Sequence, residues 1–397
     1  MQPIPYGKQN ITEEDIQEVV RVLNSDYLTQ GPEIKRFEDL FASYVGAEYA
    51  VAVSNGTAAL HLCAMAMNVG PGQKIITTPI TFAASANCIR YCGGTPVFAD
   101  IDRNTYLIDI NSIRELLESS PRGTYQGIIP VDFAGRSVNL EELRQLADEY
   151  DLWIIEDACH APGGYFVDDQ KNQHQCGNGQ WADLAIFSFH PVKHIAAGEG
   201  GMITTNSHEL YTRLLELRTH GITRDESKFS NTIGFATGGV ESEEYPGWYM
   251  EMQSLGYNYR LTDFQAALGS SQLKRADEGL ARRVEIAKRY EMAFSSATFV
   301  KGQSKLVEGH AYHLYIIEIE DRLGLYNYLR SKKIFAQIHY IPTHLMPYYR
   351  ELGWKVGDLP NAENYYRHCL SLPMYPTLSS EDQERVIETI FEYYNNL

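Results

Sequence analysis

Cysteine is scarce in this chain: Cys63, Cys88, Cys92, Cys159, Cys176 and Cys369 are spread over 397 residues, with no CxxC pair. Disulfide scaffolds and thiolate metal knuckles need clustered cysteines, so neither is expected, and reduced thiols in a cytoplasm are the simplest reading. Positive charge is also short, with Lys+Arg 34 against Asp+Glu 51 and a net charge of −17. Such a surface repels nucleic-acid phosphates and anionic membranes, so any anionic ligand must be gripped locally. No run of about 18 apolar residues, the length a spanning helix needs, is present. The opening MQPIPYGKQNITEEDI shows no basic segment followed by an apolar one, and neither export nor membrane insertion is expected. Internal repeats, low-complexity tracts and Pro-rich linkers are missing too. With 44% hydrophobic and 21% charged residues, the chain reads as globular, with two domains packed together.

What is there is alternation. AVAVS (50–54) precedes the helix-like TAALHLCAMAM (57–67), KIITT (74–78) precedes FAASANCIRYC (82–92), and TPVFA (95–99) precedes NSIRELLESS (111–120); GIIPV (127–131) and LWIIE (152–156) continue the series. Strands alternating with helices predict a layered α/β fold around a mostly parallel sheet. The rhythm breaks at LAIFSF (184–189) and GMITTN (201–206), which only a loop separates. Residues 225–256 show no periodicity and read as a long surface excursion. Helical pattern resumes over 261–294, and HLYIIEI (313–319) predicts a strand in a smaller α/β unit. The expected division is a large domain over 1–260 and a small one over 261–397.

Chemistry is sought where strands end. Asp157 directly follows LWIIE, and side chains at the carboxyl ends of such strands face the ligand crevice; a solvated turn acid or a cap explains the same position. Lys193 lies in FSFHPVKHIAAGEGG (187–201). Most lysines are exposed and idle, but one beside His190, His194, Phe187 and Phe189 could lose its proton by desolvation and become a nucleophile. SNGTAAL (54–60) runs from a strand end into a helix start, where backbone N–H groups can cradle an anion; an N-cap by Ser54 or Thr57 accounts for the same residues. GNGQWA (177–182) fits a loose dinucleotide pattern, yet the polar DDQKNQHQ precedes it where a strand is required and the strand-like WADLAIF follows where a helix is required, which argues against it. HPVKH contains a proline and lacks the glutamate of HExxH, so no metal site is expected.

The order of SNGTAAL, TTPITFAAS (77–85), EDACHA (156–161) and FSFHPVKHIAAGEGG resembles the fold-type I, pyridoxal-phosphate-dependent sugar aminotransferases of the DegT/DnrJ/EryC1/StrS family. The resemblance spans essentially the whole chain. It implies a large domain with a mostly parallel seven-stranded sheet between helices, a smaller α/β C-terminal domain, and pyridoxal phosphate (PLP) as cofactor. Lys193 matches the lysine that condenses with the cofactor aldehyde and shuttles the proton; dehydratase relatives carry histidine there. Asp157 matches the acid that pairs with the pyridine nitrogen and keeps it protonated. His160 stands where a side chain bonds the phenolic oxygen, a position often held by glutamine. Phe82 matches the ring-stacking aromatic, and Gly56, Thr57 and Ser188 the phosphate-binding groups. Asn258 matches an asparagine that reaches the phosphate from a neighbouring subunit, which implies a homodimer.

Within the family, residues 4–38, EDACHAPGG (156–164), SFHPVKHI (188–195), HGITRD (220–225) and HYIPTHLMPYYR (339–350) are similar to a branch acting in pseudaminic acid synthesis. That similarity implies L-glutamate as donor and C4 of UDP-2-acetamido-2,6-dideoxy-β-L-arabino-hex-4-ulose as acceptor. Another nucleotide-linked 4-keto or 3-keto sugar, or a catalytically silent nucleotide-sugar-binding relative, are the competing readings. Tyr6, Thr29, Gln30, Arg224, His313, His339 and Tyr340 are candidate substrate contacts, each also open to a purely structural hydrogen bond. AAGEGG (196–201) and the polar DDQKNQHQ (168–175) depart from the pattern of relatives and are expected near the site.

Overall fold

The protein was examined as a computed structural model that describes residues 2–301 and 306–396. Its strands in chain order are β1 (Tyr49–Val53), β2 (Lys74–Thr77), β3 (Thr95–Phe98), β4 (Tyr125–Ile129), β5 (Trp153–Asp157), β6 (Tyr165–Val167), β7 (Gln173–Gln175), β8 (Leu184–Ser188) and β9 (Gly201–Thr205). Seven of them make one sheet in the order β1-β9-β8-β5-β4-β2-β3. The pairings of β2 with β3 and β4, of β4 with β5, and of β5 with β8 are parallel. β9 runs antiparallel to both β8 and β1, which is where the sequence rhythm breaks. β6 and β7 form a separate hairpin.

The expected α/β architecture is therefore present, and its cause is visible in the strands. Val51–Val53, Ile154, Ile155 and Leu184–Phe187 are wholly buried, as strands covered by helices on both faces must be. The connecting helices Gly56–Ala66, Ile110–Glu118 and Leu140–Glu149 each start at a side-chain cap, with Asn55, Asp109 and Asn139 accepting from Ala58, Asn111 and Glu142 N–H groups. These caps satisfy donors that have no partner inside the helix.

The excursion 225–256 is mostly irregular, with a single-turn helix Ile233–Ala236. It is closed by β10 (Ile222–Thr223) pairing with β11 (Glu251–Met252). Glu251 pins it: its carboxylate accepts from the N–H groups of Ser230 (2.7 Å) and Asn231 (2.9 Å) and from Tyr249 Oη (2.8 Å).

In the C-terminal region β12 (Tyr315–Glu318) pairs antiparallel with β13 (Cys369–Leu372). The long helical pattern beyond 260 is two helices, Asp263–Leu273 and Ala276–Phe294. Apolar clusters do not follow one cut at residue 260. Leu261, Ala266 and Leu273 pack with Phe37, Phe41 and Phe189, whereas Ile4 joins Ile286, Ile334 and Ile387. A parallel bridge from Ile4 to Ile334 carries the first residues, and Tyr6 with them, onto the C-terminal unit.

Candidate active site

The carboxyl ends of β5 and β8 and the start of the helix Gly56–Ala66 open into one cavity of about 610 Å³. Asp157, the last residue of β5, is buried on its floor. Its Oδ2 accepts from Ser85 Oγ at 2.7 Å and its Oδ1 from the Cys159 N–H at 3.2 Å. A carboxylate offers about four acceptor positions, so capacity remains for another donor. Thr81 Oγ1 lies 2.8 Å behind Ser85 Oγ, which orients that hydroxyl.

Lys193 reaches the same cavity from the loop that joins β8 to β9. The loop is held at its base by Phe189 N–H to Gly200 O (2.8 Å) and Ala197 N–H to Phe189 O (2.9 Å). Among the described residues the Lys193 ammonium makes no hydrogen bond or ion pair. Its pKa is lowered, chiefly because enclosure strips water from the charged form; Cys159 and Asp157 oppose that effect and the Arg283 guanidinium adds to it.

His160 lies on the adjoining wall. Its Nδ1 accepts from the Ala134 N–H at 3.2 Å, and its Nε2 sits 3.2 Å from Tyr340 Oη. An Nδ1 that accepts puts the proton on Nε2. Burial, with Lys193, His339 and His194 nearby, holds the ring well below the ordinary histidine range, so it stays neutral. His313 packs against it at 4.2 Å between ring centroids.

The cradle is tight. A Cβ on Gly56 would lie 3.0 Å from Ser188 Cβ, and one on Gly201 would lie 2.7 Å from the Asn55 carbonyl carbon. Gly56, Thr57 and Ser188 all line the cavity, and Phe82, 64% exposed, stands at its edge. The cap of this helix is Asn55 rather than Ser54 or Thr57; Asn55 was not singled out in the sequence because a capping residue looks alike on any helix.

Of the expected site residues, Lys193, Asp157, His160, Gly56, Thr57, Phe82, Ser188, Tyr6, His313, His339 and Tyr340 share this cavity. The structure does not bring Thr29, Gln30, Arg224 or Asn258 to it within one chain; all four are exposed. Thr29 instead bridges Thr262, and Asn258 bridges Thr219. None of residues 168–175 lines the cavity, contrary to expectation: the tract makes the β6–β7 hairpin, where His174 Nε2 lies 2.8 Å from Asp168 Oδ2. His194, expected to pack around Lys193, donates from Nε2 to Ala311 O at 2.8 Å. Glu199, in the AAGEGG run expected near the site, lines the cavity, as do Ser85, Cys159 and Tyr259, which were missed. Only Ser85 carried a signal, a hydroxyl on the buried side of the helix Ala84–Tyr91.

These residues fit pyridoxal phosphate: an unpartnered amine for its aldehyde, a buried carboxylate with spare acceptor capacity for its ring nitrogen, and a glycine-floored helix start for its phosphate. Residues 9–391 match the DegT/DnrJ/EryC1/StrS aminotransferase family. The chain belongs to that family. The spore coat polysaccharide biosynthesis protein SpsC of Bacillus subtilis is 38% identical over 402 residues, covering 98% of this chain and 96% of that one. Helicobacter pylori PseC, an aminotransferase involved in the biosynthesis of pseudoaminic acid, superposes with a TM-score of 0.86 at 28% identity over 100% of both chains. Spr1654 of Streptococcus pneumoniae, solved in a PLP form, gives 0.84 at 28% identity over 100% of this chain and 99% of its own. The aminotransferase is thus a fold-type I, PLP-dependent enzyme. No helix among its described residues is long and apolar enough to cross a membrane.

Proposed function

We propose that this aminotransferase moves the amino group of L-glutamate to C4 of UDP-2-acetamido-2,6-dideoxy-β-L-arabino-hex-4-ulose, giving UDP-4-amino-4,6-dideoxy-N-acetyl-β-L-altrosamine. The observation that carries the chemistry is that the Lys193 amine, whose pKa enclosure lowers, and the buried Asp157 open onto one cavity. The choice of sugar is supported by the sequence strings shared with the pseudaminic acid branch and by the likeness to PseC.

Pyridoxal phosphate, when bound, supplies an aldehyde carbon and a pyridine ring that takes up the electron pair left when a proton leaves carbon. Lys193 would hold the group through its amine and would carry a proton at Cα of glutamate and at C4 of the sugar. Asp157, steadied by Ser85 and the Cys159 N–H, keeps the ring nitrogen protonated. His160, a neutral donor through the Nε2 that faces Tyr340 Oη, would meet the phenolic oxygen. Gly56, Thr57 and Ser188 hold the phosphate with neutral donors and the positive end of a helix, which suits an acidic protein. Phe82 covers the ring face. Tyr6, His313, His339 and Tyr340 are placed to meet the nucleotide sugar. Asn258 serves the site of a second copy, so the working unit is a homodimer, together with Thr29, Gln30 and Arg224 as contacts across that boundary. The six free cysteines accord with a cytoplasmic enzyme.

A second reading keeps the cofactor and changes the ketone, because the cofactor-facing residues are indifferent to which sugar arrives. The 38% identity to a spore coat polysaccharide biosynthesis protein favours it. Mass spectrometry of products formed from glutamate and a panel of 4-keto and 3-keto UDP- and dTDP-sugars separates the two. Turnover of the UDP-linked 4-keto substrate is expected, and its absence beside turnover of another ketone removes the first reading.

A further inference from the structure

Behind the cavity floor lie two carboxyl groups that the reaction does not use. Asp132, in the turn after β4, and Glu156, the neighbour of Asp157 in β5, are 0% and 1% exposed. Their carboxyl oxygens and Cys176 Sγ lie within 4.8 Å of one another. Each acid has one oxygen satisfied by backbone: Val138 N–H donates to Asp132 Oδ1 and Gly177 N–H to Glu156 Oε2, both at 2.9 Å. The other oxygens, Asp132 Oδ2 and Glu156 Oε1, are fully buried and have no donor among the described residues.

Two carboxylates that close cannot both stay ionised in a dry interior. The groups facing them are Asp157 from β5, Cys176 and Cys159, none of them cationic. We propose that Asp132 and Glu156 share one proton in a carboxyl–carboxylate hydrogen bond, and that this bond fastens the turn carrying Ala134 to β5, fixing His160 relative to Asp157.

The links to the site are short. The Asp132 N–H donates to Asp157 O at 3.0 Å, and Ala134, two residues on, donates its N–H to His160 Nδ1. Glu156 is joined to Asp157 by the peptide bond itself. The pair therefore ties together the two residues assigned to the ring nitrogen and the phenolic oxygen of the cofactor. Burial raises both acids, and Glu156 is raised further by the charge of Asp132 and the bond to it, which is the direction expected of a pair that holds one proton between them. Both are positioning residues, and their role rests on the cofactor reading of Asp157 and His160; the shared proton itself does not.

Infrared spectra of the full-length holoenzyme at neutral pH test the proposal. Raised carboxyl pKa values among the described residues are confined to this pair, so one protonated-carboxyl band is expected in the wild type and none in Glu156→Gln. Glu156→Gln keeps a donor toward Asp132 and should hold kcat/KM within about fivefold, roughly the worth of one ordinary hydrogen bond. Asp132→Ala leaves Glu156 without its acceptor and should lose more than about tenfold in kcat, with a shifted pH midpoint of the visible cofactor band. A wild type without the band, a stoichiometric metal ion in the purified protein, or a Gln variant as impaired as the Ala variant each overturns the proposal. If the variants do not fold, the wild-type band and metal content still decide. An absent band in an enzyme that transaminates sinks the shared proton alone, and a present band in a chain that does not transaminate sinks the cofactor reading alone.

Discussion

At the scale of single residues, the proposed chemistry depends on the Lys193 amine losing its proton on the cavity that Asp157 also lines. Lys193→Ala should abolish transamination and the visible absorbance of bound cofactor together; retained turnover would show that another amine does the work. Because enclosure lowers the Lys193 pKa, the unprotonated amine persists to lower pH than in a free lysine. The rate at which added PLP develops its visible band on the cofactor-free chain should therefore fall only as pH drops through that lowered value. Asp157→Asn should fold and still accept Ser85 Oγ–H through its amide oxygen, yet lose about 10²- to 10³-fold in kcat, since a neutral partner no longer stabilises a protonated ring. Undiminished turnover in that variant would reduce Asp157 to a structural acid. Position alone left Asp157 open to a cap and Lys193 to an idle surface lysine; the order of the motifs, read as a family resemblance, singled both out, and both line the cavity. Asp132 was not legible, since its importance comes from packing against Glu156 across the sheet, which no local pattern encodes.

At the scale of elements, β9 and the helix Gly56–Ala66 approach closely at the proposed phosphate cradle. A Cβ at Gly201 would meet the Asn55 carbonyl carbon and oxygen at 2.7 Å and the Gly56 nitrogen at 3.0 Å. These are backbone atoms and cannot swing aside, so Gly201→Ala should cost about 1–3 kcal/mol of stability and weaken PLP retention. Urea unfolding and dialysis of the holoenzyme measure the two effects, and a variant as stable as wild type would show that the cradle has slack. The loop before β9 was legible, but the reason for Gly201 was not: it pairs with Val53 and Ser188 in a reversed strand, and Val53 lies 148 positions away in the chain. Parallel crossover units, by contrast, were readable one after another, because each strand is a continuous apolar run followed by its own helix. The β12–β13 pairing joins Tyr315 to Leu372 and left no local trace for the same reason that β9 left little.

At the scale of the molecule, an acidic chain exposes a large apolar set outside its cavity. Ile16, Val20, Leu23, Tyr27 and Leu28 lie open at the N-terminal helix and the loop after it, and Trp248, Met250, Met252 and Leu255 lie open on the pinned excursion. Contiguous exposed apolar patches mark interaction surfaces, and Thr29 and Gln30 on that loop and Arg224 and Asn258 flanking the excursion are exposed as well. A homodimer that covers them would complete each cavity with the partner's residues, and subunit mixing tests this directly. In a hybrid of a Lys193→Ala subunit with an Asn258→Ala subunit, one site has lost both residues and the other keeps both. Mixing the two impaired homodimers under conditions that exchange subunits should therefore raise activity above either parent, in step with the hybrid fraction measured by native mass spectrometry. If hybrids form and activity stays at the average of the parents, the sites are not shared and Asn258 acts within its own chain or not at all.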